Sequence, residues 1–297
     1  KKYQISLNRL ISMEYLKTYF FDEKINLDEM AKKIRSLGFS GVFTRFREND
    51  PFETPSSKCY RVRDLLADHG LRIYQSTGYW QPLIHPDETQ RRQAVRTLQQ
   101  ALKIAGDLGA RGIDTGPGSL NPNGPWNPHP NNWSLKSREQ LIKSLKESAS
   151  AAEDNQVYLS LEGHQLVVLE DERVTKIVLD AVDSPWVKSD LDPANWIQLK
   201  TIFTTGVAID QMFDILGEHI ISGHAKDITI TNSHTLHLPT TSVGQGLLDF
   251  RTYLRRMEDL NPDYPLIVEG SSESELPEAS AYLYRIADEL GIDIIQE

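Results

Sequence analysis

The chain has 297 residues, enough for one large domain or two ordinary ones. With 39% hydrophobic and 8% aromatic residues it can build a sizeable core, yet its longest apolar runs are too short for a transmembrane helix. A formal charge of −10 argues against nucleic acid as a partner, and a single cysteine, Cys59, excludes an intramolecular disulfide or a cysteine-built metal site.

The N-terminal stretch KKYQISLNRLISM carries two lysines but no long apolar segment and no small-residue cleavage site, so no signal peptide is expected. Together with the lone cysteine this gives a cytoplasmic location as the expectation. Apolar strand-like runs then alternate with amphipathic segments along the whole chain. Strands are predicted at 3–7, 41–46, 71–77, 111–116, 157–162, 187–192, 220–227 and 265–270. Helices are predicted near 27–37, 57–69, 86–108, 135–154, 170–182, 207–217, 247–260 and 277–290. Glycines in SLGFS and DLGAR end helices, and Asp87 and Ser134 are candidate caps for the helices that follow them. Eight strand–helix units are what an α/β, single (β/α)8 TIM barrel requires, here one domain over 1–297. A doubly wound open sheet is the alternative, but no GxGxxG follows the first strand.

The stretch TGPGSLNPNGPWNPHPNNW (115–133) interrupts this rhythm with five prolines, three glycines and two tryptophans. A loop this long is usually functional or disordered. It is read as a stiff cover that brings Trp126 or Trp133 to a substrate; the alternative is a contact in a homo-oligomer. Trp80 and Trp196 also fall in loops at the same face, and Trp186 does not.

Side chains along a barrel strand alternate between the interior and the helix layer. In VYLSLE, Val157, Leu159 and Leu161 face outward, leaving Tyr158, Ser160 and Glu162 inward. On the next strand Lys188, Asp190 and Asp192 share the inward phase, followed by Ser222, His224 and Lys226, then Ile267 and Glu269. Four consecutive strands therefore end in Glu162, Asp192, His224 and Glu269. Spacings of 30, 32 and 45 residues, one βα unit each, would put all four at one height. Three converging carboxylates raise one another's pKa values and destabilise the fold unless a cation joins them. One imidazole and three carboxylates form an oxygen-rich set suited to Mn²⁺ or Mg²⁺ and open to Co²⁺ or Zn²⁺. Separate salt bridges with Lys188, Lys226 and Arg45 are the plainer alternative.

LSLEGH, DLDPANW, SGHAKD, VGQGLLDF and LIVEG together resemble the xylose-isomerase-like sugar isomerase/epimerase superfamily, which includes ketose 3-epimerases, inosose dehydratase, hydroxypyruvate isomerase and endonuclease IV. The likeness is strongest over 155–270, and its most specific pieces are His-x-Lys-Asp at 224–227 and Gly-x-Gly-x-x-Asp-Phe at 244–250. Carried over position by position, Glu162, Asp192, His224 and Glu269 match the family's four metal ligands. Two departures stand out. The family often has Asp-x-x-His where this chain has Asp192-Pro-Ala-Asn195. Its ketose 3-epimerases usually carry an arginine shortly after the metal histidine, whereas DITITNSHTLHLPTTS offers only His234 and His237.

The resemblance implies a metal-dependent isomerase or epimerase acting on a small sugar through a cis-enediolate, with Glu162 and Glu269 as the two bases. A lyase of the same superfamily, expelling water or a glycosidic group from a keto-sugar, needs the same enolate, and the missing arginine favours it slightly. His164, Asn195, Lys226, Trp126 and Trp196 are the expected substrate contacts. An endonuclease IV-like phosphodiesterase needs more histidines than are present and meets Asn195 where one should stand. No nucleic-acid or membrane partner is expected.

Overall fold

The computed structural model describes residues 11–13, 26–44, 51–78 and 81–294. The predicted first strand at 3–7, Arg45 and Trp80 lie outside them. Eight parallel strands close into a barrel: β1 (Ile11–Met13), β2 (Gly41–Thr44), β3 (Arg72–Thr77), β4 (Gly112–Thr115), β5 (Tyr158–Glu162), β6 (Val187–Leu191), β7 (Ile220–Ala225) and β10 (Leu266–Val268), with β10 pairing back onto β1. A two-stranded antiparallel ribbon, β8 (Asp227–Ile228) and β9 (Thr240–Thr241), rises from the end of β7.

Helices α1 (Leu27–Ser36), α2 (Ser56–Asp68), α3 (Glu88–Asp107), α4 (Leu135–Asn155), α5 (Glu172–Val182), α6 (Thr205–Leu216), α7 (Phe250–Leu260) and α8 (Leu276–Leu290) alternate with the barrel strands. Local chemistry sets their ends. Asp87 accepts from the Gln90 N–H at the start of α3, and Ser134 from the Ser137 N–H at the start of α4. Gly38 and Gly109 follow α1 and α3 with φ of +85° and +67°, a conformation that costs glycine little. Among the described residues no helix is long and apolar enough to cross a membrane.

The core lies between strands and helices. Val157, Leu159 and Leu161 are buried there, as the outward phase of β5 predicts. The interior phase is polar: Gln75, Asp114, Ser160, Asp190, Ser222 and His224 are all buried. Register corrects one expectation. Glu162 pairs with Asp190 and not Asp192, and His224 pairs with Ile267 and not Glu269. The four strand-end residues are thus staggered by two positions, because strands in a closed barrel tilt and shear. Side-chain length closes the gap.

Candidate functional site

The C-terminal mouth of the barrel holds a cleft of about 360 Å³ lined by Phe43, Asp114, Trp126, Glu162, His164, Asn195, His224, Lys226, Thr240 and Glu269. Glu162, Asp192, His224 and Glu269 converge at its base, each offering a ligand atom within 4.8 Å of the others. His224 Nδ1 lies 3.2 Å from Glu269 Oε2 and 3.7 Å from Glu162 Oε1. It is buried without a hydrogen-bond partner of its own. A buried lone-pair position surrounded by three carboxylates fits a divalent cation, and the donor set is that of an oxygen-preferring metal.

Each ligand-type side chain is aimed by a local device. Asp192 opens a short 3₁₀ turn, Pro193–Asn195, and its Oδ1 accepts from the Ala194 N–H at 3.0 Å, leaving Oδ2 toward Lys226. Asn195 ends that turn and donates from Nδ2 to Glu162 Oε1 at 2.7 Å and to Gly163 O at 3.2 Å. The residue standing in place of the family's histidine thus steadies a carboxylate.

Lys226 pairs with the carboxylates jointly. Its ammonium reaches Asp192, Glu269 at 3.1 Å and Glu162 at 3.9 Å, so one lysine serves all three carboxylates at once. Burial pushes the Asp192 carboxyl up to about 7 against the pull of Lys226. At Glu269 burial acts in the same direction, but Lys226 and His224 outweigh it and hold the carboxyl well below the usual range. Lys188, predicted inward, instead donates to Glu218 O at 3.3 Å at the opposite end of β6, where the inward phase opens to solvent.

His164 and Trp126 form one wall, with ring centroids 5.9 Å apart. The Leu166 N–H donates to His164 Nδ1 at 3.1 Å, which leaves Nε2 as the donor of the neutral ring. Burial, and then Lys226, hold its pKa below the ordinary histidine value. Trp196 is placed differently from expectation. It is only 4% exposed, packs over Gly163 and donates its Nε1–H to Leu169 O at 3.1 Å, so it lines no part of the cleft. A Cβ on Gly163 would sit 2.3 Å from its ring, which explains a glycine at that position. Trp133 donates to Gln165 O at the rim, Trp186 stacks on Tyr158, and His234 and His237 are exposed.

The 115–133 loop is held by one residue that sequence reasoning missed. Asn132 is fully buried; its Oδ1 accepts from the Leu120 N–H, and its Nδ2 donates to Ser119 Oγ and Leu166 O at 2.9 and 2.8 Å. Asn132→Ala leaves these buried groups without partners, so a loss of about 2–4 kcal/mol is expected in denaturant unfolding. A loss below about 1 kcal/mol would show that the prolines alone hold the loop.

The family model for xylose isomerase-like TIM barrels matches residues 31–287, and the chain belongs to that family. Its structure is similar to that of an L-ribulose 3-epimerase, with a TM-score of 0.73, 15% identity and coverage of 95% of this chain and 97% of that one. It is also similar to the 3-keto-D-glucoside 4-epimerase YcjR from E. coli, with a TM-score of 0.68, 16% identity and coverage of 94% and 100%. A xylose isomerase-like TIM barrel protein from Mycobacterium smegmatis, solved in complex with magnesium, gives a TM-score of 0.69, 17% identity and coverage of 95% and 96%. No curated protein matches by sequence.

Proposed function

We propose that the chain is a divalent-metal-dependent sugar isomerase or epimerase that acts on a ketose or keto-sugar by proton abstraction through a cis-enediolate. One observation carries the reading: Glu162, Asp192, His224 and Glu269 meet at the base of a cleft sized for a small molecule. Mn²⁺ is the best match to the four donors, with Mg²⁺, Co²⁺ or Zn²⁺ as alternatives. When bound, such an ion supplies Lewis acidity that polarises a carbonyl and makes the neighbouring C–H proton removable.

The chain's own groups do the rest. Glu162, steadied by Asn195, and Glu269, beside Lys226, are the two proton carriers. Trp126 offers a flat face to a sugar ring, His164 and Lys226 offer donors to its oxygens, and Asn195, whose NH₂ is held by Glu162 and Gly163, offers its Oδ1 to a hydroxyl. Among the lining residues Lys226 alone is cationic, and three carboxylates already share it. An uncharged sugar therefore suits the cleft better than a phosphorylated one.

A lyase acting on a keto-sugar is the second reading. It is favoured by the aromatic wall and by the absence of arginine between His224 and Gly244. The two readings share their first step, so one experiment tests both. Incubation in deuterated water with a panel of ketoses and 3-keto glycosides, read by proton NMR, should put deuterium on a substrate carbon. No incorporation from any member of the panel by metal-loaded protein would overturn the enolate chemistry.

Metal itself is checked by thermal melting. Mn²⁺ at about 100 times its Kd should stabilise the protein by about 2.7 kcal/mol. Chelator should reverse the gain, and His224→Ala should abolish it. An unchanged melt in the unaltered protein would refute the metal site.

A further inference from the structure

Behind the four converging side chains lies a second buried network that the proposed chemistry does not use. Asp190, on β6, is fully buried, accepts two hydrogen bonds and stands against the ring of His224. Gln75 Nε2 donates to its Oδ2 at 2.6 Å, Ser222 Oγ donates to its Oδ1 at 2.7 Å, and His224 Nε2 lies 3.0 Å from Oδ2. Gln75 also donates to Ser222 Oγ at 3.0 Å and turns its Oε1 toward His224 Nε2 at 3.4 Å.

The orientation of each group follows from the others. A reversed Gln75 amide would press its oxygen against the Asp190 carboxylate at 2.6 Å, so the NH₂ must face Asp190. That leaves Nε2 of His224 between two acceptors, Asp190 Oδ2 and Gln75 Oε1, where only an N–H is stable. Nδ1, on the other edge of the ring, is then the nitrogen that can present a lone pair to the carboxylates of the cleft.

Asp114, Asp190 and His224 also bring ligand atoms within 4.8 Å of one another, which raises the question of a second cation site. The hydrogen bonds decide against it: donors from Gln75 and Ser222 already occupy the Asp190 oxygens, and His224 Nε2 stands 3.0 Å from one of them.

We propose that Asp190, oriented by Gln75 and Ser222, is a positioning residue that fixes His224 as the Nε2–H form and so aims Nδ1 at the cleft. A metal-ligating imidazole is commonly held this way through its second nitrogen. The inference rests on the metal reading only for its purpose, because the hydrogen bond itself is a property of the metal-free protein. Asparagine at 190 removes the carboxylate charge beside His224 Nε2 and sets its own NH₂ against a donor or forces the Ser222 hydroxyl to turn.

Two measurements test it. In protein labelled with ¹⁵N-histidine and free of metal, NMR should show a slowly exchanging Nε2–H at His224. An Nε2 without a proton, or one exchanging at the rate of an exposed imidazole, would overturn the assignment without any variant being made. In a metal titration by calorimetry, Asp190→Asn should weaken Mn²⁺ binding by about 10–100-fold and speed Nε2–H exchange, while Ser222→Ala, which removes one supporting donor, should fall between it and the unaltered protein. Binding within twofold of the unaltered protein in Asp190→Asn would overturn the positioning role. If the unaltered protein bound no Mn²⁺ yet showed the protected Nε2–H, the metal reading would fail and the hydrogen-bonded His224 would stand.

Discussion

Glu162→Gln and Glu269→Gln are each expected to lose at least about 10²-fold in the rate of deuterium entry at the substrate carbon, and up to about 10⁴-fold. Glutamine keeps the shape of the side chain and one oxygen donor but cannot take up a proton at neutral pH. The two positions are not equivalent. Glu162 is gripped by Asn195 at 2.7 Å, whereas Glu269 is partly exposed and sits against Lys226 and His224. Lys226, with His224 beside it, holds the Glu269 carboxyl low and so keeps it ionised, the state a base needs. Metal content must be measured on the same samples, because lost metal would mimic a lost base. If both variants retain metal and near-normal exchange, neither carboxylate moves the proton and both are ligands only.

How much of this could be read from the chain depends on what alternation can report. A period of two says which face of a strand a side chain takes, and it placed Glu162, His224 and Glu269 inside from residue order alone. It says nothing of height. The stagger between Glu162 and Asp192 comes from barrel shear, and Lys188, on the correct face, ends in solvent below. Hydrogen bonds across the barrel were illegible for another reason. Gln75 and Asp190 are 115 positions apart on strands that do not pair, so no local pattern links them. Loop tryptophans are ambiguous in the same way. Trp126 and Trp196 both follow strand ends, yet one lines the cleft and the other is folded under Gly163. A glycine facing an indole is the only local signal, and it is weak.

The motif most specific to the family yields the second large effect, on stability. Asp227 is buried, and its carboxylate accepts four backbone N–H groups: Ile228 and Leu248 on Oδ1 at 2.8 and 3.0 Å, Gly244 and Gly246 on Oδ2 at 3.0 and 2.9 Å. The glycines of VGQGLLDF follow from this grip. Gly244 has φ of +87°, and a Cβ on Gly246 would lie 2.2 Å from Asp227 Oδ1 and 2.5 Å from Ile228 O. Asp249, the acidic member of the motif, caps α7 through the N–H groups of Arg251 and Thr252. The signature thus ties the β8–β9 ribbon to α7 and carries Thr240 to the cleft rim. Asp227→Ala strands two buried and two half-buried donors that had bonded to a charged acceptor, so a loss of at least ~3 kcal/mol is expected. That corresponds to a melting point lower by roughly 6 °C or more. Asp227→Asn should fall between, because its amide can accept at one oxygen but meets N–H groups with its own NH₂ at the other. Denaturant unfolding of the two variants against the unaltered chain measures both. If Asp227→Ala costs less than about 1 kcal/mol, the four hydrogen bonds are replaced by water and the motif is not a structural clamp.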